Sequence, residues 1–227
     1  MTNSVNNDAK RLLIYSISPA VLFLVWEVCA RVGLLDARFF PAPSTIFYHL
    51  FFVSPEEGIV TDVIYSVYRI FVGYIIGCTL GIMLGVGMGL SHVLRMMFYP
   101  LVMVTYPIPK IAILPLIMLI FGIGDLSKIV VVVIGSRNFI IKIVIPGSLP
   151  SIFTGLKLAI GYSLVIVVAA EFSGADKGIG YLIWQSWETF SIKSMYAGIF
   201  VIGVLGFIFS YSLDFLERRM VPWKDKK

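Results

Sequence analysis

Six stretches of this 227-residue chain are dominated by apolar side chains and bounded by polar or basic ones: about 12–31, 63–90, 96–124, 129–145, 151–172 and 195–216. A helix needs about 20 such residues to cross the ~30 Å hydrocarbon core of a bilayer. Inside that core every backbone N–H and C=O must be paired within the protein, which restricts spanning segments to helices or closed barrels. The composition points the same way. Hydrophobic residues make up 59% of the chain and charged residues 14%, with a mean hydropathy of +0.94, whereas a soluble domain averages about 45–50% and about 25%. The expected fold is an all-α polytopic bundle of six transmembrane helices. It forms one membrane domain over 12–217, between an N-terminal tail, 1–11, and a basic tail, 218–227.

Charge sets the expected orientation. The net charge of +5 does not mark a nucleic-acid binder, because the basic residues cluster at the ends of the apolar stretches. Cytoplasmic loops carry the excess of Lys and Arg. Lys10 and Arg11 therefore put the N-terminus in the cytoplasm, and Arg218, Arg219, Lys224, Lys226 and Lys227 put the C-terminus there too. The number of crossings must then be even. The fourth stretch is short and irregular, broken by Gly135-Ser136-Arg137-Asn138 and by Lys142, yet it has to cross for the basic tail to stay inside. Asp36, Glu56, Glu57, Asp62, Asp125, Asp176 and Glu188 then fall outside. The first apolar run is as long as a full span and no A-x-A cleavage site follows it, so it reads as a retained anchor. Cys29 and Cys78 lie within apolar segments and read as small buried hydrophobes, without a disulfide or a metal.

Several features interrupt the apolar background. Gly73, Gly77, Gly81, Gly85 and Gly89 recur every fourth residue, which lines one helix face with a groove that another backbone can approach. Pro107, Pro109 and Pro115 interrupt the third stretch and predict a bend or break near 107–110. Irregular backbone at membrane depth is tolerated where it lines a cavity or is covered by protein, so this region reads equally as part of a solute path or as a kinked packing helix. Glu27 pairs or snorkels. Tyr181–Glu188 reads as an interfacial helix anchored by Trp184 and Trp187, and 34–62 as an external segment with a short interfacial helix. Finally, Ser136–Lys157 carries Arg137, Asn138, Lys142 and Lys157 around a Pro146-Gly147-Ser148-Leu149-Pro150 break. It reads either as a docking loop for a soluble cytoplasmic partner or as an ordinary connection, and orientation alone would explain Arg137 and Lys142.

No GxxxxGK[ST], HExxH, GxSxG or C-x-x-C occurs, and the two histidines, His49 and His92, fall on opposite sides of the expected topology. An enzyme is not expected. A bundle without its own energy source conducts passively, couples to an ion gradient or borrows energy from a partner. Ion-coupled carriers show intramembrane acids or repeats, and here Glu27 and Glu171 both lie near span ends.

Pro107-Ile108-Pro109-Lys110-Ile111-Ala112-Ile113-Leu114-Pro115-Leu116, closing in Phe121-Gly122-Ile123-Gly124, resembles the permease subunits of type I ABC importers, nearest the nitrate/sulfonate/taurine subgroup. So do Pro41-Ala42-Pro43-Ser44, Ser66-Val67-Tyr68-Arg69, Ile145-Pro146-Gly147-Ser148-Leu149-Pro150 with Gly155-Leu156, Ala170-Glu171, Gly178-Ile179-Gly180-Tyr181 and Pro222-Trp223. The resemblance implies a dimerising permease in a prokaryotic cytoplasmic membrane, two cytoplasmic ABC ATPase subunits that use the ATP, and an external solute-binding protein. The chain itself would bind no cofactor. It also implies an ATPase-coupling surface made of Arg137, Asn138, Lys142, Ile143, Ile145, Pro146, Gly147, Ser148, Leu149 and Pro150. In that family the coupling loop reads Glu-Ala-Ala, a glycine, then Ile-x-Leu-Pro. Here Ile143-Val144-Ile145-Pro146 matches the close, the glycine position falls on Val133, and Glu-Ala-Ala is absent. Roughly 30 residues are missing between Ile134 and Ser136 relative to that pattern, far more than a typical connection.

Overall fold

A computed structural model describes residues 2–144 and 149–221, and every regular element in it is helical. In chain order these are α1 (Thr2–Arg31), α2 (Pro43–Tyr48) continuing into a π turn (His49–Val53), α3 (Ile59–Leu90), α4 (His92–Thr105), a 3-10 turn (Lys110–Ile113), α5 (Leu114–Phe121), α6 (Asp125–Val144), α7 (Leu149–Glu171), α8 (Ile179–Glu188) and α9 (Ile192–Met220). Among the described residues, three helices are each long and apolar enough to cross a membrane: Ile59–Leu90, Ile152–Glu171 and Ile192–Met220. The bent pair α4 and Lys110–Phe121 makes a fourth if it counts as one span.

Helix α1 departs from the sequence expectation, whereas the break expected near 107–110 is present. Helix α1 extends ten residues N-terminal to its apolar run, because no Pro or Gly stops it there. The third apolar stretch is two helices meeting at 91°. Pro107 and Pro109 fall in the four residues between α4 and the 3-10 turn, where neither can donate the N–H that would continue the helix.

The core is built by α3, α5, α6 and α7, whose Ile70, Leu114, Ile117, Val131, Val132, Ile160, Leu164, Ile166 and Val167 form one buried cluster. Helices α3 and α6 run parallel. Gly73 lies against Ile129 and Val132, and one turn on, Gly77 lies against Val133 and Ser136. Helix α7 runs antiparallel to both, so Ser136 Oγ meets Ser163 Oγ at 2.7 Å and the Tyr74 hydroxyl donates to the Leu156 carbonyl at 3.0 Å. At its far end α8 packs Leu182 against Ala197 of α9, while Trp184 and Trp187 stay exposed with their rings 5.1 Å apart. Glu27 is paired: it accepts from Arg31 Nε at 2.5 Å and from the Ser44 backbone N–H at 2.9 Å.

The glycine seam makes this core sensitive to one atom. A Cβ on Gly77 would sit 2.8 Å from the Val133 carbonyl oxygen, and one on Gly73 2.6 Å from Val132 Cβ. Neither neighbour can swing away as a flexible side chain would. Gly81 and Gly85 are buried on the same face, whereas Gly89 is exposed with nothing within 4 Å of an added Cβ. Continuing the register, Gly89 falls beyond Val144, the last residue of α6. Gly77→Val should therefore cost about 1–3 kcal/mol through overpacking and lower the thermal unfolding midpoint of the detergent-solubilised chain by several degrees. Gly89→Ala should leave that midpoint unchanged or slightly raised.

Candidate functional site

Two polar clusters pin opposite ends of the α3/α6/α7 core. The larger is centred on Arg69, on the third turn of α3. Its Nε donates to Asp125 Oδ1 at 2.7 Å, and its Nη1 donates to Glu171 Oε1 at 2.7 Å and to the Lys177 carbonyl at 2.6 Å. The Arg69 side chain is 4% exposed and that of Glu171 0%. Transfer of either charge alone into such surroundings would be prohibitive, and pairing with further hydrogen bonds is what allows it.

Those further bonds come from the α7–α8 connection. Ser66 Oγ lies 2.8 Å from both carboxylate oxygens of Glu171 and accepts from the Ile179 N–H at 2.8 Å. The Gly180 N–H donates to Glu171 Oε2 at 2.9 Å, and the Gly178 N–H to Asp62 Oδ1 at 2.7 Å. The first N–H groups of α8 thus point at carboxylates, the sign that a helix N-terminus favours. Glycine is required at Gly178, whose φ is 130° and whose Cβ would collide with the Glu171 carboxylate. Lys128, on the first turn of α6, is buried and donates to the Gly124 and Gly174 carbonyls at 3.1 and 3.3 Å. A polar cleft of about 250 Å³ opens beside this knot, lined by Tyr65, Arg69, Asp125, Lys128, Asp176 and Lys177.

At the opposite end, Lys157 of α7 forms ion pairs with Asp214 and Glu217 of α9, and Glu217 is buried. Helix α6 ends and α7 begins at this same end. Arg137, Asn138, Lys142 and Ile143 fall on the last two turns of α6, Leu149 and Pro150 open α7, and Ile145, Pro146, Gly147 and Ser148 lie outside the described residues. Pro150 stands in the first turn, where a missing N–H costs nothing. Pro107 and Pro109 flank the 91° break and Pro115 sits in the first turn of α5; all three are exposed on the single chain.

The arrangement is mechanical rather than chemical: charges are spent on fastening helices. Sequence reading named Arg69 and Glu171 within motifs, Glu171 as an acid near a span end and Asp125 as an external acid, but it did not bring them together, and it did not single out Lys128. The available signal was a lone Arg about three turns into an apolar stretch, since intramembrane charges face the bundle interior and carry partners. The Ser66…Arg69, Ala170-Glu171 and Gly178-Ile179-Gly180 motifs, scattered over 115 positions, converge on this one knot.

Residues 134–222 match the family described as the binding-protein-dependent transport system inner membrane component. The taurine transport system permease protein of Escherichia coli is 29% identical, the match covering 90% of this chain and 87% of that protein. A putative aliphatic sulfonates transport permease of Bacillus subtilis is 26% identical, over 91% and 86%. A nitrate import permease of Synechococcus elongatus is 25% identical, over 96% and 90%. The taurine permease alignment runs to 239 positions but holds only 90% of these 227 residues, so that relative carries about 35 positions with no counterpart here.

The knot yields a double-mutant test. Arg69→Met strands two carboxylates, one fully buried, and should cost about 3 kcal/mol or more. Glu171→Gln keeps an acceptor for the Gly180 N–H and should cost less. Because the two side chains touch, the double variant should be more stable than the sum of the singles implies, as read from thermal unfolding in detergent.

Proposed function

We propose that this chain, a permease of the binding-protein-dependent transport family, carries a small solute across the cytoplasmic membrane of a prokaryote. It works as one of two copies and is driven by separate ATPase subunits. What its relatives handle, taurine, aliphatic sulfonates and nitrate, makes a small sulfonate, nitrate or similar compact solute the first candidate. In this reading α1 and α6 join the four apolar spans to make six crossings, and both termini and the α6–α7 connection face the cytosol. The Arg69 knot faces outward, toward an external solute-binding protein. The ATP belongs to the partner subunits, and this chain binds no cofactor of its own.

The observation that carries the reading is the attachment of the α6–α7 hairpin. Its connection lies between Val144 and Leu149, and the two helices it joins are locked to α3 by the glycine seam and by Arg69, and to α9 by Lys157. A push on that connection is therefore delivered to the whole core rather than absorbed locally. The broken span supports the two-copy arrangement. Tyr106 to Pro109 are exposed on the single chain, and irregular backbone at membrane depth requires a protein or water-filled neighbour. A second copy meeting it there would enclose the path, and alternating access would follow from re-packing the two halves.

Proteoliposomes holding this chain, its cognate ATPase and its binding protein should accumulate labelled solute with ATP and not with a non-hydrolysable analogue. Arg137→Glu together with Lys142→Glu should lower that uptake at least tenfold and release the ATPase on purification (a loss of about 1.4 kcal/mol or more). Flux through the chain alone, indifferent to ATP, would overturn the reading. A second reading, a permease that folds but no longer transports, is favoured by the shortfall against the relatives, since the matched family segment begins at Ile134, where the resemblance locates the missing residues. Inserting the taurine permease's corresponding segment between Ile134 and Ser136 separates the two: uptake that appears only after insertion supports the second.

A further inference from the structure

The break between α4 and the 3-10 turn holds a lysine in an unusual position. Tyr106, Pro107, Ile108 and Pro109 are exposed, yet Lys110 is only 4% exposed. Its ammonium donates to the Thr105 carbonyl at 2.5 Å and to the Ile108 carbonyl at 2.8 Å. Thr105 is the last residue of α4. In a continuing helix its carbonyl would accept from the N–H of residue 109. That residue is Pro109, which has none. The next side chain along, Lys110, supplies the missing donor, and supplies it as a full positive charge at the negative end of a 14-residue helix.

The depth of the break makes this consequential. Leu114, immediately after the 3-10 turn, belongs to the same buried cluster as Ile160 and Leu164 in the middle of α7. The turn itself packs against α6 and α7. An ammonium at that level is costly unless carbonyls replace its water. Broken helices of ion-coupled carriers present just such carbonyl ends to Na⁺ or H⁺ taken from solution.

We propose that the Lys110 ammonium is a resident cation. It fills a carbonyl pocket at the α4 break that would otherwise take a small monovalent cation of the ammonium or methylammonium class. The pocket is then satisfied from within the chain, and the break holds its geometry without any ion from solution. This assignment stands apart from the transport reading, because thermal unfolding of the chain alone tests it.

The test compares wild type, Lys110→Met and Lys110→Ala in detergent, with chloride salts of methylammonium, ammonium, sodium and choline at equal ionic strength. Wild type should melt at one temperature in all four. Both variants should melt lower in choline, a cation too large for the pocket. Lys110→Ala, which leaves room, should regain about 5 °C in methylammonium or ammonium over choline. Lys110→Met, which fills the space with a neutral chain, should regain nothing. Lys110→Met melting like wild type, or no recovery of Lys110→Ala in any small cation, would overturn the proposal. If Lys110→Ala is obtained only unfolded, it is prepared with methylammonium throughout. Failure to recover folded chain under those conditions overturns the proposal equally.

Discussion

The Arg69 guanidinium is the interaction on which the rest of this bundle depends. It is the one cation that α3 sends into the core, and it is shared between the first residue of α6 and the last residue of α7. Apolar packing alone does not fix the axial register of helices in a bilayer, because lipid tails are as apolar as leucine side chains. A buried charge with two partners does. Sliding α7 by one turn, about 5.4 Å, would leave the Glu171 carboxylate with no counter-ion in a dry interior, and sliding α6 would take Asp125 from Arg69. The glycine seam gains its meaning from this pin. Gly73 and Gly77 meet Val132 and Val133 only if α3 and α6 are held at this register.

The two ends of the core are each fastened by an ion-paired cluster. At the Arg69 end Arg69 and Glu171 are buried while Asp125 is 42% exposed, and Glu171 also accepts from a backbone N–H of α8, so losing the Arg69–Glu171 pair leaves a buried charge unpaired. At the other end Lys157 and Asp214 are partly exposed, with side chains 30% and 47% accessible, and water can replace a lost partner at small cost. Each end thus holds one buried carboxylate, Glu171 or Glu217, beside a partly exposed one, Asp125 or Asp214.

Much of this was legible in the sequence. Three of the six expected membrane helices follow from segment length, the break follows from Pro107 and Pro109, and the α3 face that packs closely follows from a four-residue period. What resisted reading is tertiary. Glu171 looked like a residue at a span end because it is one, and its role comes from an arginine 102 positions away. Asp125 read as an external acid, which is compatible with its exposure yet silent about Arg69. The glycine period continues to Gly89 after the partner helix has ended, since periodicity marks a face and not the length of the neighbour on it. The 91° angle likewise cannot be read from two prolines, because the turn after the break is set by Leu114 and Ile117 entering the core.

The shortfall against the relatives also takes a physical form. The point between Ile134 and Ser136 is the interior of a continuous helix. Ser136 is bonded to Ser163, and the space a Cβ would need on Gly135 is taken by Ile166. A segment of about 35 positions cannot be accommodated there without unpacking that contact. If the relatives carry their extra residues at this point, the contact made here between Ser136 and Ser163 cannot be kept in the same form. In this chain α6 ends at Val144 and α7 begins at Leu149, so only four residues separate the two helices. Arg137 and Lys142 stand on the last two turns of α6 and Arg218 on the last turn of α9, so the sequence gathers its basic residues at the ends of these helices.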